Sequence, residues 1–413
     1  MKQQRPYPVY TVTPKAERSL TAGHPWVYGE EITAAPEVPP ENGALVDVVS
    51  RKGSYLGTGL LSLHSKIRIR LLSRNANDRF DEAFWRRRVE YAWAYRKSVM
   101  GPEDLDCCRV VFGEADQLPG LTVDRFHDIL VAQTMSYGME QRKDVLFPIL
   151  ADVLRKDGQE IRGIYERNDA PLRLREGLEE GKGWYRLPGD EPPAETRTLI
   201  RENGVQYEVD FENGQKTGFF LDQKYNRQAV GRLCRGARVL DCFTHTGSFA
   251  LNAGICGAEH VIGVDASELG VAQARENAAL NGLEDRVEFL CADVFDLLPQ
   301  LEQQGEQFDV VILDPPAFTK SRSSVKKAVK GYREINLRAM KLVRDGGFLA
   351  TCSCSHFMDY ELFTQTIGQA ARNVHKRLRQ VEYRTQSPDH PILWAADDSY
   401  YLKFYIFQVC DEK

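Results

Sequence analysis

The sequence predicts an α/β protein: a doubly wound, largely parallel sheet in the carboxyl-terminal half, preceded by a β-rich domain and a small α+β domain. Three observations carry this. From Thr196 onward, short apolar runs alternate with helical stretches, as in strand–helix–strand units around a parallel sheet. Residues 1–72 contain several Gly- and Pro-bounded β-like stretches, and residues 73–195 mix helices with a β-meander. A chain of 413 residues exceeds one ordinary core, which fits domains at 1–72, 73–195 and 196–413.

In the first segment, 44–49, 55–63 and 67–72 read as strands. The last alternates as Ile67-Arg68-Ile69-Arg70-Leu71, which predicts a half-buried strand with Arg68 and Arg70 on a solvated, positive face. His24-Pro25-Trp26-Val27-Tyr28 is aromatic and turn-rich. A helix is expected over 81–100, then strands at 110–112, 121–124 and 129–134, with turns at Leu118-Pro119-Gly120 and His127-Asp128. A helix over 140–155 and a strand over 163–166 follow, and 176–193, rich in Gly, Glu and Pro, reads as a connection or surface excursion. Next comes a hairpin with 206–211 as one arm and Glu212-Asn213-Gly214 as its turn. Strands are then expected at 238–241, 261–265, 287–290, 310–313 and 347–350, with helices from Gly247, over 268–280 and over 294–301, and a basic helix before the last strand. Residues 401–409 are strand-like and aromatic.

With 42% hydrophobic and 27% charged residues, the composition is that of a soluble globular protein. No apolar run is long enough to span a bilayer and the amino terminus has no signal-peptide pattern, so a cytoplasmic protein with no membrane partner is expected. Nine scattered cysteines form neither a disulfide framework nor a metal pattern, and Cys352 and Cys354 lack a second ligand pair. No metal is expected. The net charge of −5 argues against a wholesale polyanion binder. Yet Arg322, Lys326, Lys327, Lys330, Arg333, Arg338, Lys341 and Arg344 fall in one stretch with Glu334 as its lone acid. That run reads either as a solvated helix face or as a nucleic-acid patch beside a cleft.

Two short segments carry the chemistry. Asp314-Pro315-Pro316-Ala317-Phe318 and Thr351-Cys352-Ser353-Cys354-Ser355 each follow a buried-strand pattern. In a doubly wound sheet such strand ends open into a common crevice. A rigid, acidic, aromatic-tipped turn would there face a potentially nucleophilic thiol. The first strand of the sheet ends in Val239-Leu240-Asp241-Cys242-Phe243-Thr244-His245-Thr246-Gly247, without the G-x-G-x-x-G of a dinucleotide site. Asp241 suits a cationic cofactor better than a diphosphate. Asp265 ends the second strand, where a carboxylate can accept ribose hydroxyls, and Cys291-Ala292-Asp293-Val294 follows the third as an adenine clamp. Any single Asp could be a helix cap; acids after each of four strands are poorly explained by capping alone.

This series resembles class I S-adenosyl-L-methionine-dependent methyltransferases. Over nearly its whole length the chain resembles the bacterial large-subunit ribosomal RNA cytosine-C5 methyltransferases of the three-domain type. His24-Pro25-Trp26-Val27-Tyr28 is similar to that family's PUA opening, and Lys216-Thr217-Gly218-Phe219-Phe220-Leu221-Asp222-Gln223 to its lead-in to the cofactor domain. The segments at 240–247, 314–318 and 353–355 resemble its cofactor and catalytic motifs. The resemblance implies a PUA RNA-binding domain, a central α+β domain and a Rossmann-like methyltransferase domain. It also implies S-adenosyl-L-methionine bound by Phe220, Asp222, Asp241, Phe243, Thr244, Gly247, Asp265, Ala266, Asp293, Val294 and Asp314. Large-subunit ribosomal RNA is the implied partner, with Arg68, Arg70, Lys326, Lys327 and Lys330 as candidate phosphate contacts. A homodimer stays open as an assembly state.

Cytosine C5 is a poor nucleophile, and a thiolate adding at C6 makes it an enamine-like one, which is covalent catalysis. Cys354 is the candidate nucleophile, Cys352 a small buried residue. Phe318 is the candidate stacking surface for an extruded base. Many RNA cytosine-C5 methyltransferases carry a further Cys after the Pro-Pro turn, where this chain has Ala317. The base that removes the C5 proton is therefore open among Asp314, His356 and water. Two other readings stand beside this one. Asp-Pro-Pro-x-Phe also resembles the turn of methyltransferases that act on exocyclic amines of adenine or guanine, and a non-catalytic RNA-binding assembly factor would share the basic helix and β-rich segment.

Overall fold

The computed structural model describes residues 5–319 and 321–412. It divides into two compact units. The first holds the residues as far as Ile200 with Val209–Leu221 and Pro388–Ser399; the second holds Arg201–Glu208, Asp222–Ser387 and the residues from Tyr400 onward.

The first unit opens with β1 (Val9–Val12), α1 (Pro14–Thr21), β2 (Trp26–Tyr28), β3 (Ile32–Ala34), β4 (Leu45–Val49), β5 (Tyr55–Leu61) and β6 (Ile67–Ser73). The strands form one sheet in the order β2-β6-β5-β4-β1-β3. Thr13 caps α1 through Oγ1 and Pro14 takes the first helical position, where its missing N–H is no loss. Then come α2 (Glu82–Val99), β7 (Cys107–Phe112), β8 (Leu121–Phe126), β9 (Ile129–Thr134), α3 (Tyr137–Glu140), α4 (Lys143–Lys156), β10 (Gly163–Asn168) and β11 (Gly181–Tyr185). Phe84, Val89 and Trp93 of α2 interlock with Leu146, Phe147 and Leu150 of α4 over the β7–β10 sheet.

The stretch expected to be a bare connection contains β11. Its two glycines hide the strand pattern, but Trp184 anchors it edge-to-face on Tyr165 at 5.2 Å and Phe211 at 5.5 Å. The expected hairpin exists as β12 (Arg197–Glu202) and β13 (Val205–Asp210). Its turn is Asn203-Gly204, with φ of 53° and 84°, the left-handed pair that two-residue hairpins favour. Residues 212–214 instead form a separate turn whose amides of Glu212 and Asn213 are capped by Asp210 Oδ1.

Arg70 requires a correction. The alternation along β6 does not leave it on a solvated face. Its side chain is 9% exposed and donates to Glu176 Oε1 at 2.8 Å, with Glu114 at 3.8 Å. Ser62 Oγ completes the arrangement on Glu176 Oε2. The guanidinium is committed to carboxylates inside the unit, so it is no phosphate contact. Arg68 stays half-buried and bonds the Ser62 carbonyl.

The second unit carries α5 (Lys224–Gly231), β14 (Arg238–Cys242), α6 (Ser248–Ile255), β15 (His260–Asp265), α7 (Glu268–Leu280), β16 (Val287–Cys291), α8 (Val294–Gln303), β17 (Phe308–Leu313), α9 (Val325–Leu342), β18 (Val343–Ser353), α10 (Tyr360–Asn373), β19 (Lys376–Arg384) and β20 (Lys403–Asp411). The sheet order is β16-β15-β14-β17-β18-β20-β19; the first five strands are parallel and β20 runs antiparallel to both neighbours. Strand order reverses between β14 and β17, the position where a crevice opens outside the carboxyl ends. Leu240, Val311 and Leu349 of the sheet pack with Ile335 and Ala339 of α9 and Phe363 of α10. The amphipathic α10 and the charged edge strand β19 add to the elements that the sequence pattern predicts.

Glu176→Ala would leave the Arg70 guanidinium buried without its close carboxylate. The full chain should lose about 3 kcal/mol, because breaking a buried pair strands a charge. A urea titration checks this; an unchanged midpoint contradicts the structural role of the pair.

Candidate active site

The site begins with two strand ends held side by side. In the parallel register Asp241 lies opposite Ile312, and Cys242 opposite Leu313. The loop after β14 therefore emerges beside the turn after β17. That loop alternates left-handed residues: Phe243 at φ 66°, His245 at 54° and Gly247 at 86°. Such conformations are strained for Phe and His and persist only where surroundings over-determine them. At Gly247 a Cβ would lie 2.8 Å from the Phe289 ring, so the position admits glycine alone.

Asp241 is fully buried. Its Oδ2 accepts from Thr244 Oγ1 at 2.5 Å and from the Ala250 amide at 2.9 Å, tying the loop to α6. Its Oδ1 has no partner among the described residues. Burial pushes its pKa up to about 8, against the opposing bonds from Thr244 and Ala250. Asp265 uses Oδ2 on the His245 amide and Oδ1 on the Ser267 amide, both at 2.9 Å, which orients it at the end of β15. Ala266 beside it is exposed. Asp293 is exposed and caps α8 through the Phe295 amide, while Val294 is buried under it. Burial lowers His245 to about 4, so its imidazole is neutral. Phe220 belongs to the first unit, where Lys216 Nζ lies 5.0 Å from its ring centroid. Asp222 opens the second segment of the other unit, and its carboxylate accepts from the Tyr401 hydroxyl at 2.7 Å.

The turn at 314–318 is organised by residues to which sequence pattern assigns no role. Gln223 Nε2 donates to Asp314 Oδ1 at 3.0 Å and meets Cys352 Sγ at 3.4 Å, while its carbonyl accepts from Asn226. Cys352 Sγ donates to Asp314 Oδ1 at 2.9 Å. Burial, then the neighbouring Asp314 charge, pushes the Cys352 thiol far up, so it stays protonated. Burial raises Asp314 to about 6, opposed by its Cys352 bond.

Strand β18 runs on through Ser353, which places Cys352 inside the sheet with no exposure and Cys354 just past its end, half-buried. Cys354 Sγ lies 4.0 Å from the Pro315 carbonyl, so the thiol sits against the Pro-Pro turn. Phe318 stacks tilted on Tyr332 at 4.6 Å and meets Phe295 at 5.8 Å and Phe243 at 6.4 Å, and it is half-buried. The sequence carried one clue to Tyr332, its place in an apolar stripe of α9.

The basic run divides into two halves. Arg338 and Lys341 pair with Glu302, Arg338 also with Glu334, and Arg344 with Asp309. Arg322, Lys326, Lys327 and Lys330 are solvent-facing and make no ion pair with any described residue. These cations crowd the amino-terminal end of α9, where the helix dipole disfavours positive charge. No group of His, Cys, Asp and Glu among the described residues is arranged to hold a metal, and no helix of those residues is long and apolar enough to cross a membrane.

This geometry fits a cationic cofactor of the S-adenosylmethionine type: a buried carboxylate oxygen lacking a partner among the described residues, a backbone cradle closed by Gly247, and acids after four neighbouring strands. Comparisons with known proteins agree. Residues 184–406 match the family model described as S-adenosylmethionine-dependent methyltransferase, and residues 11–74 match the PUA-like domain. The chain is 40% identical over 397 residues to the ribosomal RNA large subunit methyltransferase I of Shewanella denitrificans, covering 96% of this chain and 98% of that one. It is 39% identical over 388 residues to the protein of the same name from Photobacterium profundum, covering 94% and 96%. Among solved structures it is similar to a putative SAM-dependent methyltransferase from Streptococcus mutans (TM-score 0.80, 21% identity, 97% and 99% covered). It is likewise similar to a putative methyltransferase complexed with SAH (TM-score 0.82, 21% identity, the same coverage).

Asp241 and Asp314 both have folded-state pKa values above the usual carboxylate value of about 4. Their protonated forms are favoured in the fold, so this contribution to stability is complete below pH 4. It is lost as pH rises through about 6 for Asp314 and about 8 for Asp241. Asp241→Asn in the cofactor-free chain should therefore gain stability at pH 8.5, on the order of a few kcal/mol, relative to pH 5.5, and should bind the cofactor at least tenfold more weakly. Thermal unfolding across pH and calorimetry check the pair; a pH-independent difference contradicts the raised carboxyl.

Proposed function

The chain belongs to the ribosomal RNA large subunit methyltransferase I family of S-adenosylmethionine-dependent methyltransferases, and on that footing we propose that it forms 5-methylcytosine in 23S ribosomal RNA through a covalent Cys354 adduct. The observation that carries this reading is the division of labour between two thiols two residues apart. Cys352 is buried and fixed as a hydrogen-bond donor to Asp314, and Cys354 lies just past the strand end, half-buried, with its Sγ 4.0 Å from the Pro315 carbonyl. An amine-directed enzyme has no need of the second.

In this reading Asp241, Phe243, Thr244 and Gly247 hold the methionine end of the cofactor, Asp265 and Ala266 the ribose, and Asp293 and Val294 the adenine. Phe220 and Asp222 belong to the same set. Bound there, S-adenosyl-L-methionine supplies an electrophilic methyl group. Cys354 adds through sulfur to C6 of the target cytosine, and the ring electrons move to C5. Phe318, half-buried, stacks on the extruded base. Asp314 serves as the base for the C5 proton: a carboxyl near pH 6 accepts a proton from a weak carbon acid better than an ordinary carboxylate would. Departure of the C5 proton then returns the bond electrons to sulfur and restores the aromatic ring.

The PUA-like segment, with Arg68, and the solvent-facing Lys326, Lys327 and Lys330 supply the phosphate contacts, which position RNA without reading its sequence. Segments 1–72, 73–195 and 196–413 correspond in this reading to RNA-binding, central and catalytic parts, and the enzyme acts in the cytoplasm.

Cys354→Ala should abolish methyl transfer to large-subunit ribosomal RNA, by about a thousandfold or more, as loss of an attacking group does. Cys352→Ala should retain activity within roughly tenfold. Radiolabel transfer followed by nucleoside chromatography reads both. Full turnover by Cys354→Ala, or label in an exocyclic amine, would overturn the covalent reading. Replacing Lys326, Lys327 and Lys330 together by Ala should weaken RNA binding and reduce the salt slope by about three, one for each phosphate that no longer meets a lysine; an unchanged slope contradicts their role.

A further inference from the structure

Lys403 opens β20 opposite Ser353 of β18 and is 1% exposed. Its Nζ donates to the Ser355 carbonyl and to the Tyr401 carbonyl, each at 2.8 Å. No carboxylate lies within ion-pair distance of it among the described residues. Burial lowers its pKa to about 8, which leaves it mostly an ammonium at neutral pH. Taking an ammonium out of water costs several kcal/mol unless an anion meets it. Two neutral carbonyls satisfy two of its three N–H groups and provide no charge.

The groups around it can be taken in turn. Asp359 is exposed and its carboxylate caps α10 through the Leu362 amide at 2.8 Å. Cys352 is committed as a thiol to Asp314. Tyr332 of α9 has its hydroxyl 2.9 Å from Ser353 Oγ and 3.0 Å from Ser355 Oγ, and burial raises it well out of the neutral range. The Tyr401 hydroxyl binds Asp222, and the Tyr405 hydroxyl lies 2.7 Å from Thr364 Oγ1. His356 is exposed at the end of the segment. Cys354 lies between Ser353, the register partner of Lys403, and Ser355, whose carbonyl the Lys403 ammonium holds.

We propose that Lys403 is the positioning residue that holds Cys354 as a thiolate: anchored by the Ser355 and Tyr401 carbonyls, it brings a buried positive charge to the back of the nucleophile's own segment. The inference rests on Cys354 being the nucleophile. The thiol proton leaves to solvent water, the electron pair stays on sulfur, and the ammonium keeps all three of its protons. When sulfur later departs from C6 it takes the bond electrons with it, and the same charge stabilises the leaving thiolate. The two carbonyl bonds also fix the Ser355 peptide, so one side chain sets both the electrostatics and the orientation of Cys354. Sequence pattern hides this role, because a lone Lys at the start of an aromatic strand reads as a surface residue.

The test is the pH dependence of Cys354 alkylation by iodoacetamide, followed by peptide mass spectrometry in the full chain and in Lys403→Arg and Lys403→Met. In the unmodified chain the alkylation midpoint should lie below the free-thiol value of about 8.5. Lys403→Arg should keep it within about half a unit. Lys403→Met should raise it by about one unit or more, so that alkylation at pH 7 falls about tenfold. A midpoint at or above the free-thiol value in the unmodified chain overturns the proposal without recourse to any variant, and so does an unmoved midpoint in folded Lys403→Met. Alkylation requires no turnover. Failure of Cys354 as nucleophile would appear separately, as methyl transfer that survives Cys354→Ala.

Discussion

The parallel pairing of β14 with β17 is the constraint on which the site depends. Because Cys242 lies opposite Leu313, the loop after β14 and the Pro-Pro turn leave the sheet at the same level and cannot drift apart without breaking a buried ladder. The next pairing, Leu313 opposite Thr351, brings the cysteine segment into the same row, and Ser353 opposite Lys403 adds the antiparallel strand behind it. Four segments far apart in sequence are thus set within one cleft by register alone. A slip of one residue in any strand would turn its side chains to the other face.

Within that frame, burial assigns the protonation states. Asp241 and Asp314 are carboxyls held where ionisation is disfavoured, and each is partly compensated by donors: Thr244 and the Ala250 amide for one, Gln223 and Cys352 for the other. A cationic cofactor relieves the first, because its charge restores the ionised form. The two cysteines diverge for the same reason. Cys352 lies inside the sheet against a carboxylate, and Cys354 lies past the strand end, next to the Ser355 peptide that the Lys403 ammonium holds. Lys326, Lys327 and Lys330 face solvent at the amino-terminal end of α9, while towards its other end Arg338 and Lys341 are neutralised by Glu302.

Much of this was legible in the sequence because it rests on local pattern. The strand–helix alternation pointed to the doubly wound sheet, and the acids after successive strands pointed to the cofactor. The misses have physical causes. β11 and β19 are edge strands whose glycines and charges carry no apolar period, and they are held by long-range partners such as Trp184 on Tyr165. Arg70 looked solvated because alternation marks a face as polar without saying what covers it; Glu176, more than a hundred residues away, does. Gln223 and Lys403 were invisible as site residues for the same reason. Their roles exist only through contacts with Asp314 and Ser355 that no local window contains.

The central claim is a covalent bond between Cys354 sulfur and a pyrimidine carbon. Incubating the full chain and S-adenosyl-L-methionine with large-subunit ribosomal RNA carrying 5-fluorocytosine, in which the C5 position has no proton to lose, should arrest the cycle as a stable protein–RNA adduct. Peptide mapping of that adduct should locate the nucleotide on Cys354. Recovery of methylated RNA with no adduct, or an adduct on Cys352, would contradict the account.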